Sequence, residues 1–284
     1  MQAGPFTSDL SVNELLLLRG AGFRPLRQVM GSCFYNVGWQ AMTAGMGRGQ
    51  VWGGRGTEGQ TAELAQQTEA WNEARRLALT RMADEARAGD ADAVVGVHLR
   101  RSRRDRATGM IEFVAVGTAV RGDRYDLGED VALSNLSGQE FAKLFAHGWA
   151  PVGLVAGSSV AYVAAGWNQQ ASSKGTVFGA GGGLGFGTQF RNQELPDFTR
   201  GFTQTRLMAM QRLERQAHEL HAHGVIGVRV EHTQNQIERD TGGSKYNDLI
   251  VELHVLGTAI VELQRDAARP PTYLDFELNT QEQP

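Results

Sequence analysis

Two short phrases, Ala93-Val94-Val95-Gly96-Val97 and Gly117-Thr118-Ala119-Val120, decide how this chain is read, because both return further on. Gly224-Val225-Ile226-Gly227-Val228 answers the first, and Gly257-Thr258-Ala259-Ile260 answers the second. Each time, a long helical pattern runs into a short β-branched strand, and a later strand closes on Gly-Thr-Ala. The chain is one module written twice.

Working outward, the correspondence spreads over most of the length. Leu10 falls on Leu136, a shift of 126 residues, and at that shift Ser11 meets Ser137, Glu14 meets Glu140, Gly22 meets Gly148 and Pro25 meets Pro151. Across the helices the shift is 131, pairing Trp71 with Phe202, Arg75 with Arg206 and Ala78 with Ala209. At the last strand it is 140, so Glu112 falls on Glu252 and Gly117 on Gly257. The shift changes only in Gly-rich or polar loops, where insertions are tolerated. Self-similarity this ordered marks a tandem duplication.

Each copy therefore predicts the same elements. A short helix opens it, over Leu10–Gly20 and Leu136–His147, with a Ser-x-x-Glu spacing that suits a capping box. An apolar segment follows, over 23–39 and 149–167, which Gly and Pro break into two short strands or a bent hairpin. Loops rich in Gly, Ser, Thr and Gln occupy 44–60 and 171–193. A long amphipathic helix then runs over 61–88 and 196–222, with Leu64, Trp71, Ala74, Ala78 and Met82 as its apolar stripe in the first copy. Two strands finish each copy, Ala93–Leu99 with Met110–Val120 and Val225–Glu231 with Leu249–Val261. The expected fold is α+β: two tandem two-layer modules, each one long helix on a mainly antiparallel sheet, arranged as a pseudo-two-fold pair. The expected boundaries are 1–128 and 129–264, with a mobile tail over 265–284 that carries three prolines.

Composition limits the function classes. A formal charge of −3 and a pI near 6.2 exclude global electrostatic capture of nucleic acid or an anionic membrane. Cys33 is the single cysteine, so no internal disulfide forms and a reducing compartment fits. The first residues show no basic region followed by an apolar one, so no secretory signal is read. The uncharged run Ala150–Trp167 approaches a membrane span in length, but glycines punctuate it and its twin carries Arg24 and Arg27. A buried strand pair is the expectation there, and no transmembrane segment.

A helix bearing Glu73-Ala74-Arg75 that runs into Ala91-Asp92-Ala93-Val94-Val95-Gly96-Val97, and a strand closing on Gly117-Thr118-Ala119-Val120, resemble the YbjQ-like family. The loop Gly53-Gly54-Arg55-Gly56 is similar to that family's Gly-Gly-Arg loop. These are small bacterial domains labelled as heavy-metal-binding. The resemblance covers residues 10–121 well and 136–262 more loosely. The second copy departs from it with His223-Gly224 in place of Asp-Ala, and its Gly-rich loop lacks the Gly-Gly-Arg. The resemblance implies a dodecin-like or YbjQ-like α+β module, a cytoplasmic location and a homo-oligomeric ring. It makes Gly53, Gly54 and Arg55 loop and ligand candidates.

Several clusters offer chemistry. His218, His221 and His223 close the second long helix, and imidazoles so spaced can ligate a divalent transition metal. Histidines at a helix C-terminus equally serve the last carbonyls. Arg100, Arg101, Arg103, Arg104 and Arg106 crowd one hairpin turn, which can meet an anionic or protein partner or simply keep a sheet edge solvated. Glu112 and Glu252 sit inside apolar strands and need partners, and Arg75 and Arg206 are the expected structural ion-pair mates. Gly54-x-Gly56-x-x-Gly59 spells a dinucleotide fingerprint, but no convincing strand precedes it. Cys33 reads as a buried structural thiol. No catalytic constellation emerges, so the expectation is a non-enzymatic oligomeric binding and assembly protein without sequence-specific nucleic-acid contacts. The alternative is a transition-metal-binding protein using the three histidines.

Overall fold

The computed structural model describes residues 7–37, 60–105, 109–123, 130–166, 194–241 and 244–263, and the side chains of 103–105, 240, 241, 244 and 245 are not described. The chain is α+β. The first copy runs α1 (Val12–Gly20), β1 (Phe23–Asn36), β2 (Thr61–Glu63), α2 (Ala65–Arg87), β3 (Ala93–Asp105) and β4 (Met110–Gly122). The second runs β5 (Ala132–Leu133), α3 (Gly138–Ala146), β6 (Trp149–Val163), α4 (Pro196–Glu219), β7 (Gly224–Thr241) and β8 (Ser244–Glu262).

The duplication is visible in the backbone. Both short helices carry complete capping boxes, Ser11 with Glu14 and Ser137 with Glu140. Cys33 lies opposite Phe113 in one sheet and Ser159 opposite Leu253 in the other, the same register in both. Both copies bulge after the shared proline, at Pro25/Arg27 and Pro151/Gly153. Gly96 and Gly227 hold φ values of 65° and 62° at a second shared bulge, a conformation that glycine adopts at little cost.

The apolar segments form single long strands, not the short pairs or bent hairpin expected. Gly31 and Gly157 look like breaks, but both are close-approach points inside β1 and β6. A Cβ on Gly31 would overlap the Ala78 carbonyl oxygen, and one on Gly157 would overlap that of Ala209. Glycine at these positions lets the long helix lie directly on its strand. The long helix begins at Ala65, because Thr61–Glu63 is a strand.

That strand reveals how the copies meet. The sheets are ordered β1-β4-β3-β5 and β2-β6-β8-β7, so each copy lends a short strand to the other's sheet. β5 lies parallel to β3, and β2 lies antiparallel to β6. One apolar cluster joins Phe23, Val95 and Val120 to Leu136, Phe141 and Phe145. Another joins Trp71, Ala74 and Phe113 to Val160, Tyr162 and Ile250. Burial of this kind is worth about 25 cal/mol per Å² of apolar surface, so the shared core binds the halves strongly. The pairing is not a pseudo-two-fold. Leu64 N donates to Val160 O, and no reciprocal bond from Leu195 to Phe34 is found among the described residues. The second copy's front meets the first copy's back.

Candidate functional site

The junction of the copies holds the densest buried polar network among the described residues. It begins with α2, which packs its apolar stripe on the inner face of the first sheet and turns Asn72 and Arg75 toward the second. Arg75 Nη1 donates to Ser158 Oγ at 2.5 Å, and Nη2 donates to Asn72 Oδ1 at 2.7 Å and to the Ala156 carbonyl at 3.2 Å. Ser158 Oγ also lies 2.8 Å from His254 Nδ1, and the His254 ring meets Trp71 edge-on at 5.1 Å. Burial, with the neighbouring Arg212 charge adding to it, lowers the Arg75 pKa to about 10. The guanidinium stays charged at neutral pH.

A Ser–His contact invites a nucleophile reading, and the geometry argues against it. Ser158 is fully buried and its hydroxyl accepts a hydrogen bond from Arg75. A nucleophile needs a base that takes its proton and open space before it. Here both groups fasten one sheet to the other copy's helix.

A second repeated device sits at the opposite edge. Thr118 and Thr258, the threonines of the two Gly-Thr-Ala phrases, are fully buried. Thr118 Oγ1 donates to Asp9 Oδ1 at 2.7 Å and meets Ser8 Oγ at 3.0 Å. Thr258 Oγ1 donates to Asn135 Oδ1 at 2.6 Å and meets Ser134 Oγ at 3.1 Å. Asn135 Nδ2 also donates to Gly227 O, and Leu136 O accepts from Gly96 N, so the start of the second copy is laced to both sheets. The twin phrases Ser8-Asp9-Leu10-Ser11 and Ser134-Asn135-Leu136-Ser137 carried this signal in the sequence.

A third cluster, which the sequence did not point to, clamps the end of β6. Arg239 Nε donates to Asp248 Oδ2 at 2.6 Å, Ala165 N donates to Oδ1 at 2.8 Å, and the Tyr162 hydroxyl donates to Oδ2. Burial first, and then the Asp248 carboxylate, push the Tyr162 phenol well above its usual range.

The expected ion pairs are corrected. Arg75 is spent on Ser158, Asn72 and Ala156, Arg206 is exposed, and Glu252 has Arg101 at 3.9 Å. Strand alternation is the reason. Ile111 and Phe113 face α2 within the core, so Glu112 points to the other side of the sheet from its own helix. Arg101 also reaches Glu231 at 3.3 Å and Thr233 at 3.1 Å, which ties one member of the arginine turn to the second copy. Arg100 is exposed beside a cavity of about 690 Å³ between the copies. The side chains of Arg103 and Arg104, and all of Arg106, Gly53, Gly54 and Arg55, lie outside the described residues.

His218, His221 and His223 are exposed. His221 takes the left-handed turn with φ 51°, and His223 Nδ1 accepts from Glu262 N at 3.1 Å while its ring meets Trp149. Among the described residues, no group of three or more His, Cys, Asp or Glu side chains is gathered to hold a metal ion. Cys33 is buried in an apolar cluster. The described donors of one chain therefore do not fit a heavy-metal ion. No helix among the described residues is long and apolar enough to cross a membrane, and Trp149–Val163 is a sheet strand.

Comparison with known proteins gives two findings. A family model described as "Putative heavy-metal-binding" (YbjQ) matches residues 41–123 and again 175–262. The chain is also 39% identical over 230 residues to the encapsulin nanocompartment protein Rv1762c of Mycobacterium tuberculosis, covering 78% of this chain and 76% of that one.

Proposed function

Since the chain belongs to the YbjQ family as two tandem copies, we propose that it is a non-catalytic assembly subunit, a building part of a larger protein body. The relative is described as an encapsulin nanocompartment protein, and the proposal extends to this chain a place in such a compartment. The observation that carries the reading is the junction itself. Buried polar residues repeated in both copies, such as Thr118 and Thr258, are spent on joining segments and sheets. The Ser158–His254 contact in the junction is buried, and Ser158 also takes a hydrogen bond from Arg75.

Sedimentation of the purified full-length chain, with electron microscopy of the heaviest fraction, tests this. Particles of many chains are the expected result, and a monomer at every soluble concentration would refute the reading. Elemental analysis of the same sample separates the metal alternative. Stoichiometric zinc, nickel or copper that vanishes with His218→Ala and His221→Ala would favour a metal-binding protein instead.

A further inference from the structure

We propose that the cavity between the two copies binds a small amphipathic carboxylate, an organic acid whose head supplies the counter-charge that Arg75 lacks. Such a site goes beyond the assembly reading and is independent of it.

Arg75 is 5% exposed, and its hydrogen bonds run to Ser158 Oγ, Asn72 Oδ1 and the Ala156 carbonyl, all of them neutral acceptors. Among the described residues no carboxylate forms an ion pair with it, and the nearby Arg212 charge repels it. Other inward arginines are matched. Arg239 has Asp248 at 2.6 Å, Arg212 has Glu63 at 2.9 Å and Arg101 has Glu231 at 3.3 Å. Taking a charge out of water without a partner is costly, so a buried cation is ordinarily paired. Arg75 departs from that rule.

Arg75 borders two hollows, and their charges differ. One, of about 730 Å³, carries Arg76 with Glu69, Glu73 and Glu219, and so leans negative. The other is the cavity of about 690 Å³, where Arg100, Arg101 and Arg229 join Arg75 against two carboxylates, Asp9 and Glu231. Asp9 accepts from Thr118, and Glu231 is held by Arg101. Arg100 and Arg229 are exposed and have no carboxylate partner among the described residues. This cavity is therefore cationic in a chain whose formal charge is −3. Guanidinium groups are planar and can meet a carboxylate through two parallel N–H bonds.

The other walls give the ligand its tail. Val97, Phe113 and Val255 are almost wholly buried, and Leu99 and Leu256 stand beside them. Apolar walls with a few convergent polar groups are the usual make-up of a small-molecule site, and such sites span roughly 300–1,000 Å³. An inorganic anion would match the charge and leave these walls wet, whereas an acid with an alkyl tail covers both. Arg100 lies on β3 of the first copy and Arg229 on β7 of the second, where both draw an anion inward. The site exists only because the copies are joined.

Isothermal titration calorimetry of the full-length chain with octanoate tests the proposal. Saturable binding at one octanoate per chain is expected, with neutral octanol and inorganic phosphate each at least about 10-fold weaker. Arg100→Gln combined with Arg229→Gln is expected to weaken octanoate about 10-fold and leave octanol unchanged. Arg215→Gln, on the exposed side of α4, should change neither. Arg75→Gln should abolish the preference for octanoate over octanol. If circular dichroism shows that this variant does not fold, the double variant decides. Absence of saturable octanoate binding, octanol or phosphate binding as tightly as octanoate, or a double variant that binds octanoate like the wild type overturns the site. A monomer that binds octanoate would refute only the assembly reading, and an assembled chain that does not bind it would refute only the site.

Discussion

Arg75 of the first copy donates to Ser158 of the second at 2.5 Å, while Arg206, which holds the same place in the second copy, stands exposed. The same residue type thus has two energetic roles in one chain. Arg75→Ala removes hydrogen bonds to a buried hydroxyl and a carbonyl and should cost about 2–3 kcal/mol of stability. Arg206→Ala should change the stability of an unassociated chain by no more than ~0.5 kcal/mol. Denaturant midpoints of the two variants at low protein concentration decide this, and equal losses for the two changes would contradict the junction described.

Gly31→Ala should destabilise by about 1–3 kcal/mol or prevent folding, because the new methyl overlaps the Ala78 carbonyl. Gly157→Ala should behave alike against Ala209. Gly20→Ala is the contrasting case. Nothing lies within 4 Å of a Cβ at that helix end, so the change should stabilise by about 0.5–1 kcal/mol. Thermal melts of the three variants give the comparison.

The capping boxes predict an acid-side dependence. The Ser11 hydroxyl and backbone, with Gly138 N, hold the Glu14 carboxyl below its usual value of 4.5, against a smaller opposing effect of burial. A depressed folded-state pKa contributes stability at pH above the unfolded value, and that stability is lost as pH falls through the folded value. Ser11→Ala should cost about 1 kcal/mol near neutrality and leave a shallower loss on acidification. Unfolding midpoints between pH 7 and pH 3 would show it.

The Tyr162 phenol gives the opposite sign. Its folded pKa is raised above the usual value of 10, chiefly by burial, so its contribution is present below pH 10 and is lost as pH rises further. Of the five tyrosines, this one should ionise only as the chain unfolds, which an ultraviolet titration with and without denaturant can follow. Asp248→Ala removes the buried carboxylate that Arg239, Ala165 N and the Tyr162 hydroxyl all meet, and should cost about 2–3 kcal/mol.

Much of the fold was legible because equal residues do equal jobs at fixed spacings. Ser11 and Ser137 cap, Gly31 and Gly157 admit a helix, and Gly96 and Gly227 take the same left-handed turn. The short strands were not legible. Thr61–Glu63 and Ala132–Leu133 are strands only because a partner from the other copy lies beside them. The ion pairs were misread for a related reason. Spacing placed Glu112 and Arg75 in one copy, but it could not say that they stand on opposite sides of a sheet. The site was the least legible part, because a junction is a property of two distant segments and neither one shows it alone. Local patterns advertise caps and turns, and the Arg75–Ser158 bond spans 83 residues.

The short segment between Gly122 and Ala132 has a consequence for dilution. It tethers the copies, so the internal junction forms at an effective concentration on the order of millimolar, whatever the amount of protein present. Only a contact between chains would then respond to mass action. Dilution should therefore leave the internal junction intact, and any assembly should release matched pairs of modules. A chain with single modules would have every seam at equal risk. Fusion fixes the ratio of the two halves at unity.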